Sequence, residues 1–394
     1  MHQLLAFLLG PLMRFWSSSV ERTLSGVPRP HDMPQAHAAG VDADRILLVG
    51  SGPAVGWGVL SHDLALTGAL ARAISAYTGR GAVVDVIADS RLTAVSALRV
   101  LEDAKLWRYD AILLIVGIND AITLTSPRVW KRAMGALLHF IENTSSQSTR
   151  IFAVQIPPIR ALQVFDELGG SVAQWHARHL NKLTAGIVSE LERTECIPFA
   201  PVPMPSGSRY RGPEEYRLWA DLLADRIAVS LNSPRIELDP AQDARDLEAE
   251  RQSAVDDLAI VDTPAEERFD RIVSLARRAF GTQSAALTVI DHDRQWNKSS
   301  VGTDIVELPR AESMCDVTIR EPGMHVIGDT LGDARFGGLS DRVRFYAGFP
   351  VEAPSGERIG ALCVFDPNPR DPGQVDEVLL RELAMLVQAE LWRS

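Results

Sequence analysis

Cysteine is scarce in this chain. There are three in 394 residues, Cys196, Cys315 and Cys363, far apart, with no Cys-x-x-Cys and no Cys/His cluster at metal-ligand spacing. That excludes a disulfide scaffold, implies no metal site and fits a reducing compartment, so the expected location is cytoplasmic. Basic charge is short as well. Forty Lys and Arg stand against 51 Asp and Glu, a net charge of -11. This argues against nucleic-acid binding by phosphate neutralisation and against retention on anionic lipid by charge alone. Internal repeats and low-complexity tracts are missing. Apolar material is what the chain does have, 46% of its residues, enough for two cores. At about 150 residues per domain the length suggests two or three domains.

The N-terminal segment, Met1 to Trp16, carries an apolar stretch from Leu4 to Met13 that contains Gly10 and Pro11. A membrane span needs about 20 apolar residues, and this stretch has half that length. A secretory signal would place Lys or Arg ahead of the apolar run, but only His2 precedes it and Arg14 follows. Three readings stay open: a short helix docked on the protein's own surface or on a partner, an interfacial membrane helix, and a signal peptide. Residues 1–16 are thus a candidate for peripheral membrane or partner contact. Residues Ser25 to Asp44 read as an extended linker.

From Arg45 onward, apolar strands alternate with helical spacing. Strands are expected at Ile46–Val49, Val83–Ala88, Ala111–Val116, Ile151–Ile156 and Cys196–Phe199. Helices are expected at His62–Tyr77, Thr93–Leu106, Val129–Ile141, Trp175–Leu191 and Glu214–Ser230. Continuous apolar strands alternating with helices predict a doubly wound parallel sheet, flavodoxin-like, with ligands at the carboxyl ends of the strands. Domain 45–231 is followed by an acidic, partly helical linker, 232–261. The last unit, 262–393, opens with a helix (Ala265–Phe280). It continues with strands at Ala285–Asp291, Gln295–Val301, His325–Ile327, Phe345–Val351 and Arg358–Asp366, and closes with a helix from Gln374 to Trp392. This is an α+β pattern.

The first domain ends a strand in Gly117-Ile118-Asn119-Asp120 and closes with a helix after a Pro-rich loop, Gly212-Pro213-Glu214-Glu215-Tyr216. In these features it resembles the SGNH (GDSL) hydrolases. The resemblance implies a serine nucleophile after the first strand, a glycine and an asparagine as oxyanion donors, and an Asp-x-x-His before the last helix. Most of that set is missing. Gly52 stands at the nucleophile position with Ser51 before it, Arg91 at the glycine, Ser208 at the aspartate and Arg211 at the histidine; Asn119 alone survives with Gly117. The resemblance therefore implies a scaffold without its chemistry. The alternative is an esterase with Ser51 as displaced nucleophile and His62 or His176 as base; His176 and His179 lie on a predicted helix. The ordinary reading of Ser51 is a turn hydroxyl capping the next segment. Arg91 and Arg211 together would suit a carboxylate or phosphate, unless they pair with Asp89, Asp120 or Glu214.

The last unit carries Asp291 to Gly302 as a strand pair, Ser313-Met314-Cys315-Asp316, Arg344-Phe345-Tyr346-Ala347-Gly348 and Gly360-Ala361-Leu362-Cys363-Val364. These resemble the motifs of a GAF domain in order. The resemblance implies an enclosed small molecule, with Trp296, Cys315, Phe345 and Tyr346 as candidate lining residues, and a homodimer. No particular cofactor is implied. Cys315 is followed by Asp316, unlike a bilin attachment site, and Asn297-Lys298 lacks the second half of a cyclic-nucleotide signature. Cys315 by itself reads as a small buried residue rather than a redox sensor. A ligand-responsive regulatory protein is the expected function.

Overall fold

The computed structural model describes residues 26–40, 42–102, 104–159, 168–199, 212–232, 240–320, 323–333, 336 and 342–392. It also describes Leu9, Leu12, Met13, Trp16 and Arg22, and only the backbone of 240–246. The chain divides into two compact units, Met1–Ile236 and Glu237–Ser394.

In the first unit the elements run β1 (Gln35–Ala38), β2 (Asp44–Gly50), α1 (Leu66–Thr78), β3 (Ala82–Ala88), α2 (Ala94–Leu101) and β4 (Ala111–Ile115). They continue with α3 (Ile118–Ile122), α4 (Pro127–Thr144), β5 (Arg150–Val154), α5 (Leu168–Val188), β6 (Thr194–Ile197) and α6 (Pro213–Leu231). The sheet order is β1-β3-β2-β4-β5-β6, and every pair except β1 with β3 is parallel. Successive residues of each central strand point to opposite faces. Leu47, Val49, Ile112 and Leu114 meet α2, α4 and α5, whereas Ile46, Leu48, Leu113 and Ile115 meet α1 and α6. Both faces are covered, which is why the strands read as unbroken Val/Ile/Leu runs. The chain leaves β2 toward β3 on one side and returns to β4 on the other. The carboxyl ends of β2 and β4 are therefore the switch point where a doubly wound sheet offers a site.

One expectation needs correction here, and one of the readings left open for the N-terminal segment is met. The stretch Ser25–Asp44 holds a paired strand: β1 hydrogen-bonds antiparallel along β3, from Gln35 opposite Asp85 to Ala38 opposite Ala82. Its residues, Gln-Ala-His-Ala, carry no apolar signal because β1 is an edge strand. Leu9, Met13 and Trp16 pack onto the core of this unit, Met13 being 2% exposed. Trp16 lies against Gly169 of α5, where a Cβ would come within 2.6 Å of the indole ring. The spacing of these three residues is one helical face, and that face is used within the unit. No described helix is long and apolar enough to cross a membrane.

The second unit begins earlier than the sequence suggests. Residues 232–261 include a helix, α7 (Pro240–Leu258), whose Ala254 and Val255 are buried in the unit's core. Its charge density hides this, because the buried positions are few and short. Then follow α8 (Glu267–Phe280), β7 (Ser284–Asp291), β8 (Arg294–Val301), β9 (Glu307–Pro309), α9 (Met314–Thr318), β10 (His325–Ile327), β11 (Phe345–Glu352), β12 (Arg358–Asp366) and α10 (Glu377–Leu391). The sheet is antiparallel throughout, in the order β10-β11-β12-β7-β8-β9. One face packs on α7, α8 and α10 through Leu287, Phe349, Leu362, Leu383 and their neighbours. The opposite face packs against Met314, Cys315 and Val317 of α9 and against Ile319, Phe336 and Val343.

Candidate functional site

At the switch point of the first unit, the Ser51 N–H donates to the Ile115 carbonyl at 3.0 Å, joining the turn after β2 to the end of β4. Gly52 has φ +58°, and a Cβ built there would overlap the Cδ1 of Ile118. The position where the resemblance places a nucleophile thus has a backbone conformation serine rarely adopts, and Ile118 fills the space in front of it. Ser51 is fully buried. It precedes the turn Gly52–Val55 but makes no capping bond, and its Oγ has no hydrogen-bond partner among the described residues. The capping role expected of it is not what the structure shows.

Neither candidate base reaches Ser51. His62 Nδ1 lies 2.7 Å from Asp32 Oδ1, and the His62 N–H donates to both Asp32 oxygens at 3.0 Å. His176 is buried with Nε2 2.8 Å from the Thr125 carbonyl. His179 is half-buried on α5.

The surviving motif braces loops instead of facing a substrate. Asn119 Nδ2 donates to the carbonyls of Ser90 (2.9 Å) and Leu92 (2.8 Å), which commits both amide hydrogens to the loop after β3. Asp120 is buried. Its carboxylate accepts from the Ala94 N–H, in the first turn of α2, and from the Thr125 hydroxyl, each at 3.0 Å; burial pushes its pKa up despite these bonds. Gly117 has φ +119°, and a Cβ there would come within 2.7 Å of Ile156 and Trp130. Arg91 is exposed on a loop fixed by its own N–H donating to Asp89 Oδ1 at 2.6 Å. Ser208 and Arg211 lie outside the described residues, so the paired-arginine anion site stays an expectation.

In the second unit the four candidate lining residues are all buried, but on opposite faces of the sheet. Trp296 and Phe345 belong to the helix-covered core, whereas Cys315 and Tyr346 belong to the cluster beneath α9. The register decides this. Phe345, Ala347 and Phe349 alternate with Tyr346 and Gly348 along β11. Tyr346 donates its phenol to Cys315 Sγ at 3.3 Å and shares a 2.7 Å hydrogen bond with Thr318 Oγ1. Its hydroxyl lies where a Cβ of Gly348 would project, so Gly348 lets the ring lie along its own strand. Cys363 of β12 completes the group, its Sγ 3.8 Å from that of Cys315 and 3.5 Å from the Ala286 carbonyl. Burial and the Cys315 charge hold the Tyr346 phenol well above its ordinary range. Burial would raise Cys315 too, but hydrogen bonding with Cys363, Thr288 and Tyr346 outweighs it and the thiol is lowered; the bond with Cys315 and burial drive Cys363 the other way. Cys363 and Thr318 were not singled out from the sequence. Cys363 stands in a quoted motif, yet only the strand register places it opposite Gly348 and next to Cys315.

Beside the thiols, Asp316 joins α9 to α7. Its carboxylate meets Arg310 and Arg320, each at 2.6 Å, and Arg310 Nη2 reaches Glu248 Oε2 at 3.1 Å. Glu248 also binds Arg251, at 2.8 Å. Burial alone would raise Glu248, but Arg251 and Arg310 hold it at about 2 against an ordinary 4.5. Its folded pKa is the lower one, so the stability it adds is complete above about pH 4.5 and is lost as the pH falls toward 2. Glu248→Gln is therefore expected to lower the urea midpoint of the second unit at neutral pH, with the gap to wild type closing in acid. A gap that stays constant down to about pH 3 would contradict this.

Among the described residues, Asp256, Asp291 and His292 are the one group with ligand atoms close enough to share a metal ion, within 4.8 Å. Gln252 already donates to both carboxylates and Arg294 pairs with Asp291, so the group is satisfied internally.

Residues 264–391 match the GAF domain family. A cyclic di-GMP phosphodiesterase of Pseudomonas aeruginosa is 37% identical over 150 residues, which are 36% of this chain and 26% of that protein; the chain spans about a quarter of that relative's length. The GAF domain of an Acinetobacter phosphoenolpyruvate-protein phosphotransferase is similar in structure at 15% identity, over 37% of this chain and 92% of that one, with a TM-score of 0.28. A proposed lipolytic protein of the G-D-S-L family from Desulfitobacterium hafniense is similar at 12% identity, over 46% of this chain and 98% of that one, with a TM-score of 0.35. The C-terminal unit thus contains a GAF domain, and the N-terminal unit has a mostly parallel, doubly wound sheet.

Proposed function

We propose that this chain is a sensory or regulatory protein. Its GAF domain receives a chemical signal on the face formed by Cys315, Thr318 and Tyr346, and its SGNH-like unit does not cleave esters. The observation that carries the reading is the GAF match at residues 264–391. A segment shared with a cyclic di-GMP phosphodiesterase supports a signalling setting; that protein's activity is not carried over. The lack of catalysis is supported by Gly52 in place of a nucleophile, by Ile118 against it, and by the commitment of Asn119 to the Ser90 and Leu92 carbonyls. The Asp316–Arg310–Glu248 chain gives a change at α9 a direct mechanical route to α7.

Hydrogen exchange on the full-length protein, with and without a small-molecule extract of the expression host, tests the sensory half. Slowed exchange in Met314–Thr318 and β11 is expected. Exchange unchanged there, with protection confined to residues outside 264–391, would contradict it.

A further inference from the structure

Cys315 and Cys363 are the closest approach of two thiols among the described residues. They come from different elements, α9 and β12, and both are 2% exposed. Their sulfurs are 3.8 Å apart, so a bond of about 2.05 Å needs a closure of roughly 1.8 Å. Cys315 lies in the first turn of a helix of only five residues, the kind of element that shifts without unfolding the sheet. Most buried cysteines are inert because nothing near them stabilises a thiolate. Here the Tyr346 hydroxyl is directed at the Cys315 sulfur, and the Cys363 sulfur lies 3.8 Å from it with its own S–H toward the Ala286 carbonyl. Cys315 is lowered and Cys363 raised, so Cys315 is the more readily deprotonated of the two.

We propose that Cys315 and Cys363 form a peroxide-responsive dithiol that closes to an internal disulfide. The Cys315 thiolate attacks one oxygen of hydrogen peroxide; an S–O bond forms, the O–O bond breaks, and hydroxide leaves and is protonated to water. Cys363 then attacks the Cys315 sulfur. The S–S bond forms, the S–O bond breaks, and the released hydroxide takes the Cys363 proton as a second water. Two thiols and one peroxide give one disulfide and two waters, both sulfurs being oxidised and both peroxide oxygens reduced. Peroxide is close to water in size and reaches the pair by local opening of α9. A thiol reductant reverses the step. Cys196 lies in the other unit on β6 and is raised by burial, so it is the internal comparison. The Asp316 carboxylate, one residue from Cys315, carries the closure to Arg310 and from there to Glu248 of α7.

This inference rests on the reading of the α9 face as the input side, but its chemistry is tested separately. The full-length reduced protein is treated with hydrogen peroxide, alkylated, digested without reductant and mapped by mass spectrometry. The expected product is a Cys315–Cys363 linked peptide, lighter by two hydrogens and restored by dithiothreitol. In Cys363→Ser the reaction should stop at a Cys315 sulfenic acid trapped by dimedone. Tyr346→Phe should slow the peroxide step roughly tenfold and move its pH profile upward, because one hydrogen bond to a charged sulfur is removed. Wild type in which both thiols alkylate after unfolding with no linked peptide, or in which Cys196 alone is oxidised, would overturn the proposal whatever the variants do. A mapped disulfide with unchanged exchange in α7 would support the thiol chemistry and count against the sensory reading.

Discussion

Arg80→Met is expected to lower the stability of the first unit by about 3–5 kcal/mol, the cost of leaving a buried carboxylate without its cation. Asp44, at the start of β2, has no exposure. Arg80, in the turn between α1 and β3, meets it with Nη2 at 2.7 Å and Nε at 3.0 Å. The same guanidinium donates to the Leu231 carbonyl at 3.2 Å and to Asn232 Oδ1 at 3.1 Å. One side chain therefore fastens the amino end of β2 to the last turn of α6, at the end of the sheet away from the switch point. Urea denaturation followed by a probe in the first unit measures the effect. Arg72→Met is the comparison, because its pair with Asp63 is about half exposed on both sides; it should cost under about 1 kcal/mol. Equal small losses for the two variants would show that the Asp44 pair is not what holds this end together.

Gly360→Ala is expected to have the second large effect, about 3 kcal/mol on the second unit. Gly360 pairs with Val289 across β12 and β7, and a Cβ on it would overlap the backbone carbonyl of Thr288. A side chain could turn aside, but a strand backbone cannot, so the two central strands must part and ladder hydrogen bonds be lost. Gly332→Ala, with nothing among the described residues within 4 Å of its added carbon, should leave the thermal midpoint nearly unchanged. A Gly360→Ala protein as stable as the Gly332→Ala protein would contradict the packing described for this sheet.

The strands of the first unit were legible because burial on both faces forces them to be apolar at every position, as in Ala111–Ile115. Helices such as Pro127–Thr144 announced themselves by the spacing of Trp130, Met134, Leu137, Leu138 and Ile141. Edge strand β1 was not legible, because its backbone is held by β3 while its side chains need no apolar character. Helix α7 falls in the stretch expected to be a partly helical linker, and its place in the core is hidden for a related reason: Ala254 and Val255 bury little area, and Arg251 hides its charge by binding Glu248 and the Ile290 carbonyl. The absence of the serine, aspartate and histidine that the SGNH resemblance implies could be read residue by residue, but the filling of the space by Ile118 required a backbone. In the GAF domain, residue type identified Trp296 and Phe345 as readily as Cys315 and Tyr346. Strand register alone puts Tyr346 on the face toward α9, which carries Cys315, and Phe345 on the face toward α7, α8 and α10.

The role proposed for the first unit is regulation and not ester cleavage. The most direct test is hydrolysis of short p-nitrophenyl esters by the full-length wild type, by Ser51→Ala and by a buffer control. The structure predicts equal rates for all three, since the Ser51 hydroxyl is buried and bonded to no base among the described residues. Turnover well above buffer in wild type that disappears in Ser51→Ala would contradict it.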